Sequence, residues 1–265
     1  MSQASTDGTS DQGASTSLEG RFSLEGKVAL VTGGSRGLGR SMVTAFAEAG
    51  ADVVVSSRKL AACQAVAEEI EQRTGRRALA HACHVAHWDE IEPLVDAAYD
   101  RFGKLDVLVN NAGMSPVYDR LSDVTEELWD KVLGVNLKGP FRLTALVGER
   151  MVAAGSGSVI MVSSTGSIRS NGTILPYAAA KAGLNSMAEG FAQALGPQVR
   201  VNTIMAGPFY TDASRDWAPD RSTPFRSGLG RMGEPEEVVG AALYLASDAS
   251  SYTTSATIRV DGGLP

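Results

Sequence analysis

Tyr177 and Lys181 stand four residues apart in the segment Pro-Tyr-Ala-Ala-Ala-Lys-Ala-Gly. Residues spaced i and i+4 share one face of a helix, so both side chains reach the same small volume. A phenol is a weak acid, with a reference pKa of about 10. An ammonium about 4 Å away contributes roughly 4 kcal/mol at an effective dielectric near 20, enough to lower that pKa by ~3. A tyrosine so adjusted gives a proton to a carbonyl, or takes one from an alcohol, near neutral pH. By itself the pair equally describes an ordinary surface helix, so its weight depends on what the rest of the chain places around it.

A second chemical signal lies upstream, in Thr32-Gly33-Gly34-Ser35-Arg36-Gly37-Leu38-Gly39. It follows an apolar run, Lys27–Thr32, and opens a segment of helical spacing, Leu38–Ala49, that stops at Gly50. Glycines let backbone approach a pyrophosphate closely, and a helix N-terminus supplies N–H donors and the positive end of its dipole. The same alternation continues down the chain. Strands are expected at Asp52–Ser56, Ala78–Cys83, Leu105–Asn110, Ser158–Ser163, Val199–Met205 and Ala256–Val260. Helices are expected at Leu60–Arg73, Asp89–Phe102, Glu126–Ala153, Tyr177–Leu195 and Pro235–Ala246. Strands alternating with crossover helices specify one α/β domain, a doubly wound parallel sheet with helices on both faces. Residues 1–22, mostly Ser, Thr, Gly, Gln and Asp at their start, are expected to form a disordered tail, leaving 23–265 as the domain. The aperiodic stretch 207–233 is long for a compact domain and is expected to be a lid or binding loop.

Composition narrows the possible partners. The 265 residues are 43% hydrophobic, enough for one full α/β core. A net charge of −6 argues against nucleic acid and anionic membranes, which select basic surfaces. No apolar run approaches the ~20 residues of a membrane span. The N-terminus lacks a basic region followed by an apolar one, and the two cysteines, Cys63 and Cys83, do not make a disulfide framework. A cytoplasmic protein with reduced thiols is the expectation. His81, His84 and His87 cluster beside Cys83, but no matching ligand group occurs elsewhere, so no metal is expected.

The Gly-x-x-x-Gly-x-Gly spacing, Asn110-Asn111-Ala112-Gly113 after the fourth strand, and Tyr-x-x-x-Lys occur in that order. Together they resemble the short-chain dehydrogenase/reductase family over about Leu24 to the C-terminus. The resemblance implies a Rossmann-like fold and a nicotinamide dinucleotide bound by Gly33, Ser35, Arg36, Gly37, Leu38, Gly39, Asn111, Ala112 and Gly113. It implies a catalytic set of Asn136, Ser164, Tyr177 and Lys181. In that set Tyr177 exchanges the proton, and Ser164 donates to the substrate oxygen as charge develops. Lys181 lowers the Tyr177 pKa and holds the nicotinamide ribose, and Asn136 positions a water linked to Lys181. Spacing to Tyr177 favours Ser164 over Ser163. Gly207, Phe209 and Thr211 match a loop that closes over nicotinamide, although Ala206-Gly207 replaces the usual Pro-Gly.

Cofactor form is set where the second strand ends. Ser57 stands where NAD-preferring relatives carry Asp, Arg58 follows, and Arg36 lies in the glycine loop. Two guanidinium groups near a serine suit a phosphate dianion, so NADP(H) is expected over NAD(H), with NAD still possible. After the third strand the family's Asp-aliphatic pair is replaced by His84-Val85, where a neutral imidazole could accept the adenine amino bond or backbone could supply it instead.

The resemblance leads to a small-molecule ketone or secondary alcohol as substrate. Met114, Thr165, Asn171, Phe209, Trp217 and Phe225 are the lining candidates, with Arg169 and Arg215 as polar ones. The pattern is also similar to 3-oxoacyl-carrier-protein reductases and sugar or polyol dehydrogenases. Yet Met151–Ser158 has no Lys or Arg to grip an acidic carrier, which puts a free small molecule first. A non-catalytic dinucleotide-binding redox sensor is the alternative of another class. The family commonly pairs through the long helix and the Tyr177 helix, which implies a homotetramer.

Overall fold

The computed structural model describes residues 17–215 and 217–265. A single seven-stranded parallel sheet organises them. In chain order its strands are β1 (Val28–Thr32), β2 (Asp52–Ser57), β3 (Ala78–Ala82), β4 (Val107–Asn110), β5 (Gly157–Ser164), β6 (Val199–Ala206) and β7 (Thr257–Val260). They lie side by side in the order β3-β2-β1-β4-β5-β6-β7. The order reverses between β1 and β4. That is the switch point where crossovers leave on opposite faces and a crevice opens at the strands' carboxyl ends.

The strands read as unbroken apolar runs because both faces are covered. One face packs against α2 (Gly37–Glu48), α3 (Leu60–Thr74) and α8 (Val239–Ala246), around Phe46, Ile70 and Leu245. The other packs against α4 (Trp88–Phe102), α6 (Gly139–Ala154) and α7 (Leu175–Ala194), around Leu94, Leu143 and Leu184. The single-domain doubly wound expectation is thereby met.

Two local expectations are corrected. The tail was expected to run through residue 22, and residues 1–16 of it lie outside the described residues. Leu18–Phe22, however, forms a short helix, α1, whose first turn is capped where Ser17 Oγ accepts the Gly20 amide at 2.9 Å. The expected long helix is also interrupted. It runs as α5 (Glu126–Leu133), then a π-helical turn over Gly134–Lys138, then α6. Close packing against the loop after β3 accompanies the break. A Cβ on Gly134 would lie 3.0 Å from the Ala86 methyl, and one on Gly139 would overlap the Val85 carbonyl. A π turn re-aims the residues it contains, and Asn136 is one of them.

The 207–233 stretch begins and ends together. Phe209 bridges to Gly233, Tyr210 N–H donates to Gly233 O at 2.9 Å, and Gly233 N–H donates to Pro208 O at 3.0 Å. No helix among the described residues is long and apolar enough to cross a membrane.

Candidate active site

The crevice at the switch point is built first by β1 and β4. Thr32 ends β1, and its hydroxyl accepts the Asn111 and Ala112 amides at 3.0 and 3.1 Å while donating to Val109 O at 3.2 Å. Asn111 Nδ2 returns a bond to Thr32 O at 2.9 Å. The two loops are thereby sewn together, and Gly33 and Gly39 exist for that closeness. A Cβ on Gly39 would overlap both the Gly33 carbonyl and the Asn111 amide. Gly33 and Gly37 have φ of +65° and +51°, which glycine adopts without strain. Arg36 starts α2 without a side-chain cap, leaving the first amides of that helix as donors. Ser35 and Leu38 flank these amides in the same loop.

α7 brings Tyr177 and Lys181 to this crevice on one side of the helix. Lys181 is 3% exposed and donates to Val162 O at 2.7 Å. Its Nζ stands 5.9 Å from the centre of the Tyr177 ring. Ser164, at the end of β5, faces the Tyr177 phenol closely enough to lower its pKa, and its hydroxyl accepts the Gly166 amide at 3.1 Å. Ser163 points elsewhere, donating to Lys181 O at 3.3 Å. Strand alternation thus separates the two serines, and Ser164 is the one facing the phenol.

The expected electrostatics need correcting. Burial pushes the Tyr177 phenol above its ordinary value, and the Ser164 hydroxyl pulls it only partway back. Burial also pulls Lys181 down to about 8. At the phenol the burial penalty outweighs the pull of the Ser164 hydroxyl, while the Lys181 ammonium donates to the Val162 carbonyl. The Asn136 amide nitrogen donates to Met114 O and Val132 O, both at 2.9 Å, and its oxygen accepts Met114 N–H at 3.3 Å. The side chain therefore clasps the Met114 segment with both of its N–H groups, and its oxygen keeps a second acceptor site. It still belongs to the cluster, because a Cβ on Gly113 would lie 3.0 Å from Asn136 Oδ1 and 3.8 Å from Lys181 Nζ.

At the β2–β3 end, Ser57 Oγ lies 3.0 Å from Cys63 Sγ and Arg58 is exposed. Val85 is buried in the core. His84 Nδ1 accepts the Ala86 amide at 3.3 Å, and its ring stacks on His87 with centroids 4.3 Å apart. Burial, then the charges of His87 and Arg58, lower its pKa. A neutral ring accepting at Nδ1 carries its proton on Nε2, which is a donor. His84 therefore does not offer the acceptor that the adenine amino group needs.

The lid side is divided. Gly207 packs on Asp261, and Thr211 lies against Gly37, at 3.4 Å from where a Cβ would stand. The Phe209 ring is buried in the core, so it does not line a substrate pocket. Met114 and Thr165 sit beside Asn136 and Ser164 respectively. Asn171 folds back onto Thr173, accepting from its amide at 3.0 Å and its hydroxyl at 2.7 Å. Trp217 is half exposed and donates to Ala213 O at 3.2 Å, while Phe225 pairs with Gly230. Arg169 reaches Leu264 O at 3.4 Å and Arg215 pairs with Asp212. Each of these five is engaged in the contact just named. A groove of about 610 Å³ opens between the glycine loop and the lid, lined by Arg36, Arg40, Tyr210, Thr211, Asp212 and Arg215 among others.

Sequence reasoning passed over Thr32, whose signal was its place between strand and glycines. It also passed over the Val162 carbonyl, which has no side-chain signal at all.

Known proteins share this chain's sequence and fold. A family model described as Enoyl-(Acyl carrier protein) reductase matches residues 33–265. The 3-oxoacyl-[acyl-carrier-protein] reductase FabG of Thermotoga maritima is 38% identical over 245 residues, covering 91% of this chain and 98% of that one. A short-chain type dehydrogenase/reductase from Mycobacterium marinum superposes with a TM-score of 0.88 at 35% identity, over 94% and 99% of the two chains. A gluconate 5-dehydrogenase from Burkholderia cenocepacia, solved with NADP and tartrate, superposes with a TM-score of 0.86 at 32% identity, over 92% and 97%. A switch-point crevice carrying Tyr177, Lys181 and Ser164, in a chain so matched, makes this protein a nicotinamide-dependent oxidoreductase of the short-chain dehydrogenase/reductase family.

Proposed function

We propose that the enzyme interconverts a small-molecule ketone and a secondary alcohol with NADP(H) preferred over NAD(H), Tyr177 serving as the general acid and base. The observation that carries this reading is the meeting of Ser164 and Lys181 on either side of Tyr177. The dinucleotide fits the chain. The glycine cradle is one a Cβ would fill, and the uncapped start of α2 presents amides to a pyrophosphate. Gly33, Ser35, Gly37, Leu38 and Gly39 would hold its phosphates, Asn111 to Gly113 its central part, and Thr211 its carboxamide end. When bound, it supplies the hydride chemistry.

The chain's own residues do the rest. Ser164 donates to the substrate oxygen, where charge develops in the transition state. Tyr177 delivers its proton to that oxygen in reduction and takes it back in oxidation. Lys181, still mostly protonated at pH 7 with a pKa of about 8, keeps positive charge beside the phenol. Asn136 acts by fixing Met114 at the rim. Arg36 and Arg58 would grip the 2′-phosphate, while adenine is contacted through backbone near His84 and Val85.

A panel of small ketones assayed with NADPH tests the reading. Turnover that disappears in Tyr177→Phe supports it; full activity in that variant overturns it. Arg58→Asp should weaken NADPH binding much more than NADH binding, and a tenfold preference for NADH in the unaltered enzyme would remove the NADP claim. The Thermotoga relative favours a second reading, reduction of an acyl group on a carrier protein. Mixing with acetoacetyl carrier protein decides between them. The half-exposed Trp129 and Phe141 on α5 and α6 support assembly as a homotetramer, which light scattering would check. A cytoplasmic location accords with the two free, buried thiols.

A further inference from the structure

Arg36, the glycine-loop arginine assigned above to the 2′-phosphate, already has a partner. Its guanidinium lies 3.7 Å from Asp212 Oδ2, across the groove between glycine loop and lid. Asp212 is held in place by its own turn. Ser214, buried at 2% exposure, accepts the Thr211 amide at 2.9 Å and donates to Phe209 O at 2.8 Å. The other Asp212 oxygen, Oδ1, is taken by Arg215. The carboxylate is thus charge-satisfied without Arg36, while Arg36 depends on it. Arg58, the other arginine assigned above to the 2′-phosphate, has no carboxylate within ion-pair distance among the described residues.

We propose that Asp212 sets cofactor selectivity by competing with the 2′-phosphate for Arg36. This rests on the NADP reading above. With an unphosphorylated ribose, Arg36 stays on Asp212 and ties the lid turn to the glycine loop. With a 2′-phosphate dianion, Arg36 transfers to the stronger anion, and Arg215 keeps Asp212 neutralised. The glycine loop and the lid are thereby linked when NAD(H) is bound and unlinked when NADP(H) is bound. Both partners are exposed, and exposed pairs of this kind correspond to roughly a two- to fivefold effect in binding.

The test is titration of the full chain with NADPH and with NADH, in the unaltered protein, Asp212→Asn, Arg36→Ala and the double variant. Asp212→Asn should tighten NADPH about threefold and leave NADH unchanged or weaker. The gain should vanish in the Arg36→Ala background and shrink in 0.5 M salt, where exposed charges are screened. Asp212→Glu, which keeps the charge, should behave as the unaltered protein. Equal effects on both cofactors, or a gain that persists without Arg36, would mean a general charge effect and would overturn the competition. If Arg36→Ala weakens NADPH selectively while Asp212→Asn does nothing, the competition alone fails. If Arg36→Ala weakens neither cofactor selectively, the competition fails, while the NADP reading is judged separately by the NADPH-to-NADH preference of the unaltered protein and by Arg58→Asp.

Discussion

The Lys181 ammonium lies 5.9 Å from the centre of the Tyr177 ring and donates to the Val162 carbonyl, so the charge that serves the phenol is anchored to β5 rather than to the hydroxyl itself. A buried ammonium held by one carbonyl is costly, and burial lowers its pKa from 10.5 to about 8. The folded state therefore binds this proton less tightly than the unfolded chain. Its cost is full below pH 8 and disappears as pH rises towards 10.5, where both states are neutral. From that difference the cost at pH 7 is about 3 kcal/mol. Lys181→Met should abolish turnover yet raise the melting temperature at pH 7, with the gain shrinking between pH 8 and 10.5. Equal or lower melting temperature for the variant at pH 7 would contradict this account.

Gly39→Ala tests the cradle. The added methyl meets backbone at Gly33 and the Asn111 amide, neither of which moves freely because Thr32 ties both loops together. Overpacking of this kind costs about 1–3 kcal/mol of stability. Cofactor affinity should fall by much more than stability, about 100-fold, because the loop that must meet the phosphates is the part displaced. Calorimetric titration and thermal melting on the same sample separate the two effects.

Asn136→Ala should leave the Met114 amide and two carbonyls without their partner. Unsatisfied buried groups cost about 1–3 kcal/mol. The Met114 segment borders the crevice, so KM for the ketone should rise along with a fall in kcat. Cofactor affinity should fall less than turnover, since Asn136 does not touch the glycine loop and reaches the cofactor side only through Gly113. A change confined to cofactor binding would show that its role is different.

Asp52, at the opposite end of β2, provides a stability control remote from the crevice. Burial works to raise its pKa, but hydrogen bonds from Arg77 and the charges of Arg76 and Arg77 outweigh it and hold the carboxylate below its usual range. A group lowered on folding contributes stability that is fully present above its unfolded pKa and is lost as pH falls through the folded one. Asp52→Asn should therefore cost about 2 kcal/mol at pH 7, by leaving two guanidiniums beside an amide. The difference from the unaltered protein should narrow below about pH 4, read from urea midpoints at each pH. Cofactor affinity at pH 7 should not change.

What the residues alone determined is what depends on local pattern. The strand and helix alternation, the Gly33-x-x-x-Gly37-x-Gly39 loop and the i, i+4 spacing of Tyr177 and Lys181 are all properties of neighbours in the chain, and each specified its element. The choice of Ser164 over Ser163 came from its spacing to Tyr177 in the family pattern, and strand alternation in the fold sends the two serines to opposite faces. The tertiary structure decided what depends on distance across the chain. The π turn at Asn136 follows from helix packing on Val85 and Ala86, some 50 positions earlier, and no local period encodes that contact. The raised phenol at Tyr177 depends on how deeply that side chain is buried, which the Ser164 hydroxyl only partly offsets. Aromatic residues of the 207–233 stretch looked alike as sequence, yet Phe209 turned into the core and Trp217 to solvent. Burial and Coulomb terms belong to positions in space, and residues far apart in the chain acquire those positions only when the sheet has closed around them.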